Sequence, residues 1–222
     1  VRLWEEFVDA ANLFRVVLTP EFVITSAMLR QAGVASVAHP TKAARAFNAS
    51  VRAFFREGNA QKLDDALRSR EGFRTADRAG LHMSPLSETA GTISREEAFI
   101  YSGRTIIGRL IRAIPGIRPA ERSFVTYLNY MRTGVFDEWV RNYEGLDVPF
   151  ARYEKAADFI NHATGRGDLP RFLQREGGIM SAIFFAPRLV LSRVQMPLDL
   201  AGAIARREWR EGAQMARDLT AF

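Results

Sequence analysis

Apolar residues recur at helical spacing along most of this chain, and prolines stand at most of the points where the spacing breaks. This is the pattern of helices that each bury one side. In the third predicted helix, residues 41–57, the apolar side carries Ala44, Phe47, Val51 and Phe54. A later helix carries Phe124, Leu128, Met131, Val135 and Trp139. Because no run of alternating β-branched residues occurs, the sequence predicts an all-α fold of roughly eight to ten helices.

The predicted helices fall into two groups on either side of one long irregular connection. Residues 71–92 show no helical period and are rich in Gly, Ser, Thr and Pro, and a structureless stretch of this length is unusual inside a compact domain. We therefore expect an N-terminal helical segment (residues 1–70), a flexible connection or hinge (71–93) and a C-terminal helical domain (94–222). The alternative is a connection that wraps on a partner. Asn59 is the expected cap of a short helix, and Pro187 and Pro197 are expected helix breaks.

The composition favours arginines that pair within the chain, and it leaves an anionic partner open as the second explanation. The formal net charge is +6; only Lys42, Lys62 and Lys155 are lysines, so the other 28 of the 31 basic residues are arginines. Arginine pairs well with carboxylates and phosphates, and the 25 acidic residues in the same segments offer intramolecular partners instead. The absence of cysteine excludes disulfides and thiolate metal sites. The longest charge-free runs, residues 31–41 and 177–187, are too short to cross a bilayer as a helix.

The most amphipathic predicted helix begins at the capping-box sequence "SREE", residues 94–97. Its apolar side carries Phe99, Ile100, Ile106, Ile107, Leu110, Ile111 and Ile114. Its other side carries Arg104, Arg109 and Arg112. These arginines form either a solvated face over an ordinary core or a contact for an anionic partner.

Six aromatic residues between positions 124 and 143 also allow two interpretations. They could form a base-stacking platform for nucleic acid, or they could pack between helices. Their helical spacing favours packing. They are Phe124, Tyr127, Tyr130, Phe136, Trp139 and Tyr143.

The sequence offers no set of residues arranged for catalysis. The three histidines, His39, His82 and His162, are far apart and lack the spacing of paired metal ligands. Asp158 and His162 are four residues apart on one helix, which fits a surface ion pair better than half of a catalytic pair. Acidic doublets such as Glu96–Glu97 point about 100° apart on a helix and do not face each other across a substrate. We therefore predict a non-enzymatic protein with no catalytic, metal or cofactor site.

The stretch "NHATGRGDLP", residues 161–170, has the glycines of a phosphate-binding loop but not the spacing of one. A helix precedes it, whereas the known glycine-rich phosphate loops follow a strand. Gly165 suits the left-handed position after a helix, and Asp168 suits the cap of the next helix. The stretch is predicted to be a tight corner between two helices, with Arg166 projecting from its tip.

The same corner resembles a segment of the large polyvalent proteins of tailed bacteriophages. In those proteins a helix ending in "FIN-x-ATGRG" is followed by "FFSPRL-x-x-SR". The matching positions here are Phe159, Ile160, Asn161, Ala163, Thr164, Gly165, Arg166 and Gly167, then Phe184, Phe185, Pro187, Arg188, Leu189, Ser192 and Arg193. "ERSFVTYLNYMRTGVFDEWV" is similar to the segment before that motif, and "LTPEFVITSAMLRQAGVA" resembles an N-terminal stretch, with Thr19 and Gln31 departing from the family's Asn and Asp.

The resemblance implies a helical, non-enzymatic region of a long internal virion protein, packaged in the capsid and delivered with the genome to the host envelope or cytoplasm. It draws attention to Arg166, Arg188 and Arg193 as partner contacts. The expected partners are copies of the chain and other virion proteins of the portal or core. DNA phosphates and a membrane surface are further candidates, whereas a small-molecule substrate is not expected. Because the sequence begins at Val1, we expect a processed chain or part of a larger protein.

Two other hypotheses remain open from the sequence alone. One is a free-standing helical protein that binds nucleic acid without sequence preference, by phosphate contacts that weaken with salt. The other is a membrane-active helical protein that uses faces such as residues 99–114 and 179–186 on a lipid surface.

Overall fold

A computed structural model describes residues 32–86, 117–168 and 187–221 of the chain. Within these ranges all regular structure is helical, which confirms the all-α prediction. The eight helical segments of the described ranges are α1 (32–38), α2 (Pro40–Phe55), α3 (Glu57–Arg68), α4 (Phe73–Arg78), α5 (Ile117–Tyr143), α6 (Ala151–Ala163), α7 (Pro187–Ala205) and α8 (Trp209–Thr220).

Helix α5 is the centre of the fold. All five apolar positions that the sequence predicts for it are buried, and so are most of its aromatic residues, with Tyr130 half-buried. This confirms the packing interpretation of the aromatic set. Polar residues between these positions, such as Ser123 and Asn129, are buried as well. A helix that is buried on nearly every side must be surrounded by other helices.

Helix α2 runs antiparallel to α5 and packs against it closely. The hydroxyl group of Ser123 donates a hydrogen bond to the carbonyl of Ser50 (2.9 Å), while at the other end a Cβ atom on Gly134 would lie 3.4 Å from Lys42 Cδ. The side of α2 that faces α5 consists of small residues: Ala46, Ala49, Ser50 and Ala53. Small side chains let two helix backbones approach each other.

The prediction that the side of α2 with Ala44, Phe47, Val51 and Phe54 is buried is therefore wrong. Ala44, Phe47 and Val51 are exposed, and Phe54 is only half-buried. Hydrophobic size favours burying the larger residues, but α5 already fills the centre with large side chains. The alanine side of α2 fits against it, and the larger residues are left on the outside.

Two predicted helix boundaries also differ from the structure. Helix α3 begins after Arg56, so Asn59 lies in its first turn, where the side-chain amide donates to the carbonyl of Arg52 (3.2 Å). Pro197 lies inside α7 and does not break it. A proline removes one backbone hydrogen bond, and the buried residues on either side of it, Met196 and Ala203, hold α7 in place.

Residues 71–86, the described part of the expected hinge, are anchored to the core. They contain the short helix α4, whose Ala76 is buried, and Leu81 and Ser84 beyond it are buried too. The guanidinium of Arg78 stacks over the ring of Phe150, 4.8 Å from its centroid. The sequence shows no period here because the helix has only six residues.

Helices α6 and α8 pack against the second half of α5. Trp139 of α5 contacts Phe159 of α6, and Tyr143 contacts Tyr153 with ring centroids 5.2 Å apart. Helix α7 packs on α6 and α8. None of the helices in the described ranges is both long and apolar enough to cross a membrane. The helices predicted before residue 32, the "SREE" helix and residues 169–186 lie outside the described residues.

Candidate functional site

The turn after α6 contains the left-handed glycine that the sequence predicts, whereas the next helix, with Asp168 as its predicted cap, lies outside the described residues. Gly165 has a φ of 82°, which confirms its left-handed conformation. Its N–H donates to the carbonyl of His162 (3.0 Å), and the N–H of Arg166 donates to the carbonyl of Asn161 (2.8 Å). This pair of bonds is the Schellman arrangement, which satisfies carbonyls at the end of a helix. The corner continues to Asp168, where the side-chain amide of Gln195 in α7 bonds both backbone groups.

Asn161 uses its side chain to hold a second segment of the chain. Its Nδ2 group donates to the carbonyl of Gly80 (2.9 Å), and its Oδ1 atom accepts from the N–H of His82 (2.9 Å). Asn129 of α5 does the same for Ser84, accepting from its N–H (3.0 Å) and donating to its carbonyl (2.9 Å). Residues 80–84 therefore lie between α5 and α6 as a segment whose backbone is bonded by two asparagines.

Arg132 joins the corner to the same segment. Its side chain is fully buried, at 0% exposure. Its Nε group donates to Thr164 Oγ1 (2.8 Å), and its Nη1 group donates to the carbonyl of His82 (3.3 Å) and to Ser84 Oγ (3.2 Å). Thr164 in turn donates to the carbonyl of Ile160 (2.8 Å). We call these residues, Asn129, Arg132, Asn161 and Thr164 with residues 80–84, the polar clamp.

Arg132 occupies a position on α5 that the helical spacing marks as buried, although its charge suggests an exposed residue. It lies four residues after Leu128 and four before Phe136, both of which are fully buried. On a helix these three positions share one side. A charged residue at a core position needs hydrogen-bond partners, and the partners come from segments 32 and 48 to 50 residues away. No local pattern shows them.

His162 is buried and pairs with a different residue from the one the sequence suggests. Its Nδ1 atom lies 2.5 Å from Asp199 Oδ2 in α7, and its Nε2 atom lies 3.7 Å from Asp168 Oδ2. The prediction of a surface pair with Asp158 is wrong, because α7 covers the histidine. Burial alone lowers the pKa of His162, but the hydrogen bond and charge of Asp199, with the charges of Asp168 and Asp158, raise it above 6.5.

Asp158 belongs to the same acidic surroundings. Desolvation and then the nearby carboxylate of Asp168 raise the pKa of Asp158 from 3.8 to about 6. The carboxylates of Asp158, Asp168 and Asp199 thus repel one another, and a protonated His162 among them relieves the repulsion. This group fastens α7 to α6.

His39 is the second buried histidine held between two carboxylates. Its Nε2 atom lies 3.1 Å from Asp218 Oδ2 in α8, and its Nδ1 atom lies 3.3 Å from Glu138 Oε2 in α5. Lys42 and Arg217 also approach Glu138. The residue thereby connects the α1–α2 junction to α5 and α8. Sequence separations of up to 179 residues kept this contact out of reach of local patterns.

Glu211 of α8 is another buried ionisable residue. The hydroxyl of Tyr143 donates to its Oε1 atom (3.2 Å), and so does Arg152 Nη1 (3.0 Å). Burial, then the negative charge of Glu211, raises the pKa of Tyr143 well above its usual value of 10.0. The tyrosine therefore stays protonated and continues to donate. Lys155 and Glu208 form a neighbouring ion pair between α6 and the start of α8.

The six arginines predicted as partner contacts are not brought together in the described residues. Arg104, Arg109 and Arg112 lie outside them, and so does the side chain of Arg188. Arg166 is half-buried instead of projecting from the corner, and both it and Arg193 take part in contacts within the chain. Burial also lowers the pKa of the Arg193 guanidinium. Arg166 and Arg193 are thus partly buried and make contacts within the chain.

The chemistry of the described residues is that of fixed polar contacts. The rings of His39 and His162 bond carboxylates on neighbouring helices, and in the described ranges neither ring contacts a hydroxyl group that could act as a nucleophile. Nor do the described histidines and acids form a group of three or more arranged for a metal ion. No family model matches the chain, and no match is found among curated proteins or solved structures.

Replacing Asn161 by alanine should destabilise the protein by about 2 to 3 kcal/mol, because the substitution leaves the His82 N–H and the Gly80 carbonyl unsatisfied. The measurement is chemical unfolding followed by circular dichroism. Asn142→Ala is the matched control: its amide bonds Gln214 at an exposed position, so its effect should stay within about 0.5 kcal/mol. Equal losses of unfolding free energy in the two variants would show that the polar clamp does not stabilise the fold more than an exposed hydrogen bond does.

Stability should fall as the pH rises through the raised pKa of His162. The folded state binds the His162 proton more tightly than the unfolded state, so this contribution is complete below the unfolded value of 6.5 and lost above the folded pKa. Urea unfolding from about pH 4 to about pH 8.5 measures the slope, and the part above about pH 6 reports His162. His162→Gln should flatten it in this window, whereas the slope due to Asp158, near pH 4 to 6, should persist. Parallel curves for the variant and the parent would contradict the assignment.

Proposed function

We propose that this chain is a non-enzymatic segment of an internal virion protein of a tailed bacteriophage. It assembles with copies of itself or with sister proteins and helps to deliver the genome into the host. Two lines of support are independent of each other. One is the resemblance of residues 157–195 and 121–140 to the phage family; the other is the outer surface of α7.

The outer side of α7 is apolar and exposed. Val190, Val194 and Leu198 are four residues apart and are 59%, 57% and 62% exposed. Ile204, at 48%, extends the same side. We call these four residues the α7 stripe. The helix rise places its ends roughly 20 Å apart along α7.

A surface of this kind favours assembly. Monomeric proteins seldom expose large continuous apolar patches, and such patches mark contacts with other molecules. The α7 stripe is on the side of the helix away from Ser192, Met196 and Asp199, which face the described core. The helix is thus fixed on one side and presents valine, leucine and isoleucine side chains on the other.

The residues that carry the resemblance have structural roles, and this supports a scaffold function for the segment. Asn161, Thr164 and Gly165 of the "FIN-x-ATGRG" motif form the polar clamp and the helix corner. They are used to fix the path of the chain. A delivery protein needs helices held in a defined arrangement and surfaces that bind other copies, both of which these features provide.

Placing glutamates in the α7 stripe should dissociate the assembly. Val194→Glu combined with Leu198→Glu would bury two charges in any apolar contact, and should weaken self-association by at least about 100-fold. Sedimentation velocity of the 222-residue chain over a range of concentrations measures this. Val51→Glu is the matched control, because Val51 is an exposed valine on α2. A parent chain that remains monomeric at all concentrations would refute self-assembly.

Peptides of this segment should be present in full phage particles and absent from particles that have released their DNA. The tryptic peptide "SFVTYLNYMR", residues 123–132, is a suitable reporter for quantitative mass spectrometry. Retention in emptied particles would indicate a fixed portal or tail component. Absence from both would overturn the virion proposal and favour a free-standing nucleic-acid-binding protein, whose DNA binding should weaken steeply with salt.

A further inference from the structure

The outer side of α2 combines apolar and basic residues in an arrangement that the fold does not use. Phe47, Val51 and Phe55 are 45%, 37% and 75% exposed. Arg45 and Arg52 are exposed beside them. We call these five residues the α2 face.

The two kinds of residue are segregated around the helix. A residue advances by about 100° around an α-helix, so Phe47, Val51 and Phe55 fall within a sector of about 80°, with roughly 6 Å between neighbours along the axis. Arg52 and Arg45 lie beyond Phe55 on one edge of that sector. The small residues that pack on α5 occupy the opposite side. The α2 face is therefore an apolar strip with a basic edge.

The end of α2 that carries Phe55 is held firmly. Arg122 of α5 donates to the carbonyls of Ala53 and Phe54 (2.5 Å each), groups that the end of a helix leaves without helical partners. The ring of Phe54 packs edge-on against that of Phe55, with centroids 5.4 Å apart. Phe55 is thus presented to solvent by a supported helix end.

The charge of the face is positive and uncompensated within α2. The helix contains Lys42, Arg45 and Arg52 and no acidic residue. In the part of the chain that the structure describes, neither Arg45 nor Arg52 pairs with a carboxylate, whereas Lys42 approaches Glu138 on the inner side. Glu57, at the start of α3, is the nearest acidic residue along the chain. An anionic partner fits this edge.

We propose that the α2 face docks on an anionic lipid surface. Phe47, Val51 and Phe55 enter the boundary between headgroups and acyl chains, and Arg45 and Arg52 bind lipid phosphates at the edge. Nucleic acid fits less well, because bases stack on aromatic rings and the middle residue of the strip is a valine. Arginines interleaved with aromatic residues would favour a nucleic-acid strand. Separate apolar and basic zones favour the boundary between lipid headgroups and acyl chains. This contact does not depend on the virion proposal.

The absence of cysteine allows a direct test in the full 222-residue chain. Val51→Cys, labelled with an environment-sensitive fluorophore, should show a blue shift on vesicles of phosphatidylglycerol and phosphatidylcholine. It should show none on phosphatidylcholine alone. Leu198→Cys with the same label is the control on α7, where the residue is more exposed than Val51 (62% against 37%) and belongs to a different surface. A shift at Leu198 without one at Val51 would overturn the proposal.

Vesicle flotation then measures the contributions of the basic and the apolar residues of the α2 face to lipid binding. Each of Arg45→Gln and Arg52→Gln should weaken binding to anionic vesicles about fivefold, and added salt should weaken binding by the parent. Phe47→Ser with Phe55→Ser should weaken it further. Arg141→Gln and Leu198→Ser, at exposed positions elsewhere, should not change it. Because all of these residues are exposed, circular dichroism should show unchanged folding.

Three results would refute the lipid contact. The parent chain could fail to float with anionic vesicles, or the control variants could reduce binding as much as the face variants. Alternatively, the parent could bind single-stranded DNA but not vesicles, and the variant with Phe47→Ser and Phe55→Ser could lose that DNA binding. That last result would assign the α2 face to nucleic acid.

Discussion

The buried guanidinium of Arg132 is the contact on which the arrangement of the other segments depends. A charge without solvent is costly unless hydrogen bonds replace the water. Here the replacements come from Thr164, at the corner after α6, and from His82 and Ser84, beyond α4. Those groups must therefore meet at one point on α5. Asn129 and Asn161 reinforce the same meeting point by bonding the backbone of residues 80–84.

Buried ionic contacts then attach the last two helices to this centre. Asp199 fixes α7 to His162 of α6, while Asp218 and Glu211 fix α8 to His39 and to Tyr143 with Arg152. Each acid is far in sequence from its partner. A set of such pairs selects one way of packing amphipathic helices that could otherwise slide or rotate, because a displaced helix would leave a buried charge without a partner.

The two exposed apolar surfaces result from how α2 and α7 are attached. Helix α2 meets α5 through alanines and a serine, so Phe47 and Phe55 face outward. The inner side of α7 carries Ser192, Met196 and Asp199, so Val190, Val194 and Leu198 face outward. The basic edge beside the α2 face suits an anionic surface, whereas the α7 stripe suits another apolar protein surface. The proposed functions of assembly and membrane contact therefore concern different helices, and each can fail without the other.

The sequence alone determined the helical class, the buried apolar positions of α5 and the left-handed Gly165, because periodicity and the absence of a side chain are local properties. It did not determine which side of α2 is buried, that α7 continues through Pro197, or that residues 71–86 are anchored. These features depend on the helices that each segment packs against. Alanine side chains let α2 approach α5 more closely than phenylalanines would, and hydrogen bonds from distant residues hold the segment after α4. The partners of Arg132, His39 and His162 were likewise decided only by the tertiary structure, since side chains up to 179 residues apart meet only when the helices have packed.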